Sequence, residues 1–161
     1  PPGLYIVQAL PSWGLGSGGS SDLLDAVMPA SGTYDLTVPG ITVTDVNFTL
    51  LPGGRITGKI SVPQGADSSS LWVSAQARTG FFSRDGQIQP DGTYLIDGLP
   101  AGDYLVRVYD FSDQLVETYY GDATSEANAK NVKVVGTDTT ANIDINLSLA
   151  ATISEIGRAH V

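Results

Sequence analysis

Hydrophobic and polar residues alternate along most of the chain after residue 52. An alternation with a period of two places the apolar side chains on one face of an extended segment, which is typical of a half-buried β-strand. Clusters of Gly, Pro and Asp separate these segments and favour tight turns. Short strands at this spacing predict an antiparallel β-sandwich. The alternating segments are residues 55–62, 71–78, 94–96, 104–108, 132–134 and 143–147.

Patterns that favour helix are short. Residues 20–28 begin with N-cap candidates and stop at Pro29, which predicts one or two helical turns. Residues 125–130 predict a single turn. Because neither segment is long enough to organise a fold, we expect an all-β protein.

Two pairs of segments resemble each other within the chain. Residues 2–9 match residues 101–108, where a Gly is followed two positions later by Tyr and then by alternating apolar residues. Residues 36–50 match residues 132–147 in the same way. Self-similarity in the same order along the chain is the signature of a repeat architecture.

These matches define the expected domain organisation. Residues 1–51 predict the C-terminal part of one β-sandwich repeat, and residues 52–149 predict a complete repeat. Residues 150–161 are expected to begin a further repeat, but the segment 155–161 departs from the pattern and resembles a translated sequencing adapter, so we expect it to be non-native. The chain begins Pro-Pro-Gly, without Met or a signal peptide, and we interpret it as a piece of a longer protein.

Composition and charge exclude several classes of partner. The formal net charge is −9 at pH 7, which disfavours binding to nucleic acid and to anionic membrane surfaces, since both require a basic patch. No apolar run approaches the length of a membrane span, so no membrane insertion is expected. The chain has no cysteine, and disulfides and thiolate metal sites are therefore unavailable.

A combination of turns and strands resembles the carboxypeptidase regulatory-like family, with the B-type repeats of bacterial adhesins as related domains. The residues that carry the resemblance are the opening strand 54–60, the segment 91–108 with its Asp-Gly-x-Tyr and Gly-Leu-Pro-x-Gly-x-Tyr pattern, and the closing segment 132–149. The resemblance implies a transthyretin-like Greek-key sandwich of about seven strands. In that pattern Tyr94 and Tyr104 fall on the inward phase and are expected to fill the core.

The sequence offers little for catalysis. A Ser-His-Asp site needs a base beside its serine, and the only histidine, His160, lies in the suspect tail. Asp85, Asp91, Asp97 and Asp103 recur every six residues, a spacing that could suggest paired carboxylates. All four adjoin a glycine, however, and we interpret them as turn residues that also supply capping bonds. We expect no enzyme activity.

No cofactor is expected either. Carboxylate and carbonyl oxygens at loop ends would suit calcium better than any other metal. The chain contains no Asp-x-Asp-x-Asp-Gly loop, so solvated turn acids are the simpler interpretation.

Exposed aromatic residues are the strongest functional signal. They fall out of phase with the core positions or stand at turns, and flat rings on a sandwich surface can contact sugars or a neighbouring module. The alternative is that part of the set covers the open edge of the core. The set comprises Trp72, Phe81, Phe82, Tyr109, Phe111, Tyr119 and Tyr120.

From these observations we expect a non-catalytic structural or adhesive repeat of a larger secreted or cell-surface bacterial protein. Its partners would be neighbouring modules of the same polypeptide, together with an extracellular polysaccharide or protein. The alternative is a carbohydrate-binding module, accessory to an extracellular hydrolase, that uses Trp72 and the Phe/Tyr set.

Overall fold

The structure, a computed structural model, describes residues 1–11, 22–28 and 32–151. In these ranges the chain forms short β-strands and one 3₁₀ turn, Glu126–Asn128. The strands are β1 (Leu4–Tyr5), β2 (Val7–Ala9), β3 (Ala26–Met28), β4 (Tyr34–Asp35), β5 (Gly54–Ser61), β6 (Leu71–Ala77), β7 (Ser83–Asp85), β8 (Gln87–Ile88), β9 (Thr93–Leu99), β10 (Gly102–Asp110), β11 (Thr118–Tyr119), β12 (Val132–Val134), β13 (Thr139–Thr140) and β14 (Ile145–Asn146).

Strands β5 to β14 form two sheets that face each other. The first sheet has the order β13-β5-β9-β8, and β14 also pairs with β5. The second has the order β11-β10-β6-β7, and β12 also pairs with β10. All pairs are antiparallel except those of β13 and β14 with β5, which are parallel. This arrangement is a β-sandwich of about seven strand positions, and the expected fold class is confirmed.

The core lies between the two sheets and follows the alternation in the sequence. Apolar residues at every second position of β5, β6, β9 and β10 point inward, as the period of two requires. The closing strands complete the core from the edge of the sandwich. The buried cluster comprises Ile56, Ile60, Val73, Ala75, Tyr94, Ile96, Leu99, Tyr104, Val106, Val108, Leu115, Val132, Val134, Ile143, Ile145 and Leu147.

Two tyrosines fill the ends of this core, as predicted. Tyr94 and Tyr104 are 3% and 2% exposed. The hydroxyl of Tyr94 donates to the carbonyl of Ile143 at 2.6 Å, and that of Tyr104 donates to the carbonyl of Pro100 at 2.7 Å. Burial raises the pKa of both phenols. Each ring therefore contributes apolar area while its polar atom stays hydrogen-bonded.

The turn assignment of the aspartates is correct for Asp91 only. Its carboxylate accepts the amide of Thr93 at 2.9 Å, and Gly92 after it has a φ of 83°. Asp97 lies inside β9 and is buried. At that point the β5–β9 register shifts, so that Asp97 and Gly98 form a bulge that bends the strand without reversing it.

Asp85 and Asp103 also lie within strands, in β7 and β10. Gly102 adjoins Asp103 without forming a turn: it is not among the positive-φ glycines and is the first residue of β10. The chain reverses at residues 100–101 instead, where Pro100 has no amide to donate to a ladder.

The helix predicted for residues 20–28 is wrong for the part that the structure describes. Ala26–Met28 form β3, which pairs with β2, because the extended segment gains inter-strand hydrogen bonds that one helical turn could not match. Residues 20 and 21 lie outside the described ranges. The single turn predicted over 125–130 is confirmed as the 3₁₀ turn at Glu126–Asn128.

The described residues among the first 51 form two small antiparallel pairs, β1 with β4 and β2 with β3. The apolar side chains of this segment remain largely exposed, in contrast to their counterparts in the sandwich. The exposed apolar residues are Leu4, Ile6, Val7, Val38, Ile41, Val43 and Leu51.

Candidate functional site

Three of the predicted aromatic residues meet on the outer face of the second sheet. Trp72 of β6 lies directly opposite Tyr109 of β10 in the ladder. Phe111, just beyond β10, contacts both: its ring centroid lies 6.0 Å from that of Trp72 and 5.0 Å from that of Tyr109. Both contacts are edge-to-face, with interplanar angles of 80° and 76°. Phe111 is 67% exposed and forms the outer part of this cluster.

Arg107 extends the cluster along the same face. Its guanidinium carbon lies 5.1 Å from the ring centroid of Tyr109, its Nη1 donates to Glu117 at 3.0 Å, and Tyr119 is its cross-strand neighbour. Burial, followed by the negative charge of Asp85, raises the pKa of Tyr109, and the positive charge of Arg107 opposes this shift. We call Trp72, Arg107, Tyr109, Phe111 and Tyr119 the aromatic patch.

The geometry of the aromatic patch limits what it can bind. A flat polysaccharide stacks best on rings that lie in one plane, whereas these rings stand nearly perpendicular to one another. The guanidinium of Arg107 already lies over Tyr109. The patch therefore offers single ring faces, with Phe111 the most accessible.

A groove of about 670 Å³ opens beside the patch and shares Trp72 with it. Its lining includes the apolar Leu71 and Ile88 and the polar Gln87, Gln89 and Asp91. The indole Nε1 of Trp72 is buried without a hydrogen-bond partner. Apolar side chains with a few polar groups are the ordinary lining of a small-ligand site.

The remaining predicted aromatics do not join the patch. Phe82 packs edge-to-face on Tyr104 at 6.4 Å, and Tyr120 packs against the core and lies 5.9 Å from the Lys130 ammonium. These two cover the edge of the sandwich, which is the alternative that the sequence left open. Phe81 is fully exposed at the turn between β6 and β7.

Arg107 and Glu117 were missed by the sequence analysis. Arg107 lies on the outward phase of β10, between Val106 and Val108, so the alternation placed it on the outer face. Only the pairing of β10 with β11 brings Glu117 and Tyr119 next to it.

A second polar arrangement joins the N-terminal segment to the sandwich. The amide of Leu24 donates to the carbonyl of Leu51 at 2.8 Å, and the amide of Gly53 donates to the carbonyl of Asp22 at 2.7 Å. These two bonds form a short antiparallel ladder immediately before β5 begins.

Two ion pairs reinforce this ladder. Arg55 donates to Asp22 at 3.2 Å, and both side chains are largely exposed. Arg84, only 8% exposed, donates to Asp25 at 3.3 Å and to the carbonyl of Gly98 at 3.2 Å. Water screens the Arg84–Asp25 pair less than the Arg55–Asp22 pair, because the Arg84 side chain is buried. We call the ladder and the two ion pairs the N-terminal seam.

The same ladder recurs at the other end of the sandwich. The amide of Val116 donates to the carbonyl of Ser148 at 2.9 Å, and the amide of Ala150 donates to the carbonyl of Gln114 at 2.8 Å. When the match of residues 36–50 with residues 132–147 is continued, Ser148 corresponds to Leu51 and Ala150 corresponds to Gly53, just before β5. We call this ladder the C-terminal seam.

The two tyrosines at the start of the matched strands also make the same bond. Tyr104 donates to the carbonyl of Pro100, four residues earlier, and Tyr5 donates to the carbonyl of Pro1 over the same separation. Only Tyr104 is enclosed by a second sheet.

The described residues contain no group of three or more acidic or histidine side chains that could hold a metal ion. In that part of the chain no helix is long and apolar enough to cross a membrane.

Comparison with known proteins gives weak similarity only. No protein-family model and no curated protein matches the chain. It is similar to chains in the crystal structures of an N-terminal and a C-terminal interface mutant of a type II cohesin–X-dockerin complex from Acetivibrio cellulolyticus. The identities are 14% and 15%, the TM-scores 0.39 and 0.37, and the matches cover 60% and 59% of this chain. The matches span 58% and 57% of the matched chains. The strand pairing of this chain itself defines the β-sandwich.

Proposed function

We propose that the chain is a non-catalytic structural or adhesive part of a tandem array of β-sandwich repeats, in a larger secreted or cell-surface bacterial protein. Residues 1–51 would complete a preceding repeat, residues 52–149 form a whole one, and residues 150–161 begin another. The resemblance to the carboxypeptidase regulatory-like family supports a transthyretin-like form of the sandwich. The segment 152–161, with its suspect tail, lies outside the described residues.

The observation that carries this proposal is the recurrence of the same ladder at both seams. In each, two backbone bonds join the loop after a matched strand to the last residues of the repeat. The recurring Tyr–Pro bond adds a second common element. Two unrelated segments have no physical reason to share both features.

The proposal is tested by supplying the strands that residues 1–51 would need. A longer chain carries a copy of residues 54–99 directly ahead of Pro1, so that a strand set like β5–β9 faces β1–β4. We expect Val7 and Val38, which match the buried Val106 and Val134, to become protected from solvent, and the amides of residues 1–51 to exchange slowly with deuterium. The same chain with Ile56→Asp and Ile96→Asp in the added copy is the control.

The control should leave residues 1–51 as accessible as in the original chain, because charged residues cannot face an apolar layer. If the unmodified copy also leaves residues 1–51 unprotected, the segment is not part of a repeat and the proposal is wrong.

The second candidate is a carbohydrate-binding module, supported by the groove that Trp72 shares with the aromatic patch. A soluble oligosaccharide in that groove would place a sugar face on the indole and hydroxyls near Gln87, Gln89 and Asp91. Glycan-array binding that is lost in Trp72→Ala and kept in Phe81→Ala would favour this function. Absence of binding by the native chain, or equal loss in both variants, would contradict it.

A further inference from the structure

The C-terminal seam carries an exposed apolar residue at its centre. Leu149 pairs with Leu115 in the ladder, yet 61% of Leu149 is exposed. Glu117 lies three residues beyond Gln114 on the same edge and is 45% exposed at its side chain. An apolar residue beside an acid, at the end of a closed sandwich, is a surface that a partner can cover.

The N-terminal seam shows how a sandwich that follows the ladder contacts the equivalent loop. There the sandwich that begins at Gly54 follows the ladder directly, and a side chain at Gly53 would overlap the side chain of Leu24, so the two segments are in close contact. The guanidinium of Arg84, on β7 of that sandwich, reaches back to the carboxylate of Asp25.

The ladder fixes the correspondence between the two seams residue by residue. The carbonyl of Asp22 and that of Gln114 accept the equivalent bonds, so Asp25 corresponds to Glu117. The acid that pairs with Arg84, Asp25, therefore remains an acid as Glu117. The acid that pairs with Arg55, Asp22, is replaced by the amide of Gln114. The retained acid corresponds to the pair with the buried Arg84, which water screens less than the Arg55–Asp22 pair.

We infer that the C-terminal seam is the docking surface for a following β-sandwich repeat, with Glu117 pairing to an arginine at the position of Arg84 in that repeat. The inference rests on the proposed tandem array and adds the contact that sets the orientation of successive repeats.

Glu117 can change partner without breaking the sandwich. Its present bond to Arg107 joins side chains that are 37% and 45% exposed, and pairs of this kind are weak. In the first repeat the position of Arg107 is held by Gln8, an uncharged residue, so Asp25 has no arginine of its own repeat at this place.

The test uses a longer chain in which a second copy of residues 54–161 follows Ala150 directly, with Gly54 in the place of Ala151. Nitrogen-15 relaxation reports how each copy rotates in solution. We expect both copies to share one rotational correlation time, that of a single body of the combined size. Glu117→Lys in the first copy should abolish the shared value, and adding Arg84→Glu in the second copy should restore it.

Glu126→Lys in the first copy is the matched control, since it makes the same charge change on the exposed 3₁₀ turn outside the seam. It should leave the shared correlation time unchanged. If the copies rotate independently although both give dispersed amide spectra, the docking inference is wrong and the tandem array stands. If the second copy does not fold at all, the array proposal fails as well. A loss in Glu117→Lys that Arg84→Glu does not restore also contradicts the inference.

Discussion

Replacing Tyr104 by Ala tests whether the repeat segment 101–108 owes its stability to the closed sandwich. Tyr104 is 2% exposed, packs edge-to-face on Phe82, and donates to the carbonyl of Pro100. Tyr5 makes the same bond to Pro1, but it is only partly buried and has no second sheet over it. The two tyrosines therefore share their local structure and differ in their tertiary surroundings.

The magnitude follows from this difference. Removal of a fully buried aromatic ring costs about 3–5 kcal/mol of the free energy of unfolding, since the ring leaves a cavity and loses its transfer free energy. With a urea dependence of about 2 kcal/mol per molar, the unfolding midpoint should fall by roughly 2 M. Tyr5→Ala should cost less than about 1 kcal/mol, as expected for a residue outside a packed core.

Urea unfolding followed by tryptophan fluorescence measures both variants under the same conditions. Tyr104→Phe separates the hydroxyl from the ring and should cost only about 1 kcal/mol, the usual net value of one hydrogen bond. A loss below about 1 kcal/mol for Tyr104→Ala would refute the core placement of the ring. Equal losses for Tyr5→Ala and Tyr104→Ala would refute the role assigned to the second sheet.

Three further predictions concern stability. Tyr94→Phe leaves the carbonyl of Ile143 without its donor and should cost about 1–3 kcal/mol in urea unfolding, and no measurable loss would contradict the buried bond. The carboxylate of Asp110 accepts hydrogen bonds from hydroxyl and amide groups, which hold its pKa below the ordinary 3.8. Its contribution to the free energy of unfolding is therefore complete above pH 3.8 and is lost as the pH falls below 3.8. Asp110→Asn should therefore destabilise the protein at pH 7, and the difference from the native chain should shrink below pH 3.8, as unfolding at both pH values will show. Gly92→Ala should lower the free energy of unfolding more than Gly65→Ala does. Both glycines have a φ near 85°, but only at Gly92 would a side chain meet a backbone carbonyl. Equal urea midpoints for the two variants would contradict this contact.

The aromatic patch shows how far a local pattern can carry a site prediction. The alternation placed Trp72 and Tyr109 on the outer face, because side-chain direction follows directly from the period of a strand. It could not assign Phe82 and Tyr120, which flank strands and turn toward the core edge. Their direction depends on which neighbouring elements leave space for a ring.

The two seams, in contrast, were not predicted from the sequence pattern. The match relates strands to strands and does not include residues 22–25 and 114–117, although Asp-Leu-Leu-Asp and Gln-Leu-Val-Glu are similar at three positions. Four residues are too few to establish an equivalence. The backbone hydrogen bonds define it, because both segments pair with the residues that follow the matched strands.

By itself the sequence determined the all-β class and the inward rows of the core, because both follow from short-range periodicity and turn chemistry. The tertiary structure decided the rest. It converted the expected turn at Asp97 into a bulge, made β3 from a segment that resembled a helix, and placed Arg84 against Asp25. These outcomes depend on pairing between residues far apart in the chain, where burial and hydrogen bonding override local preference.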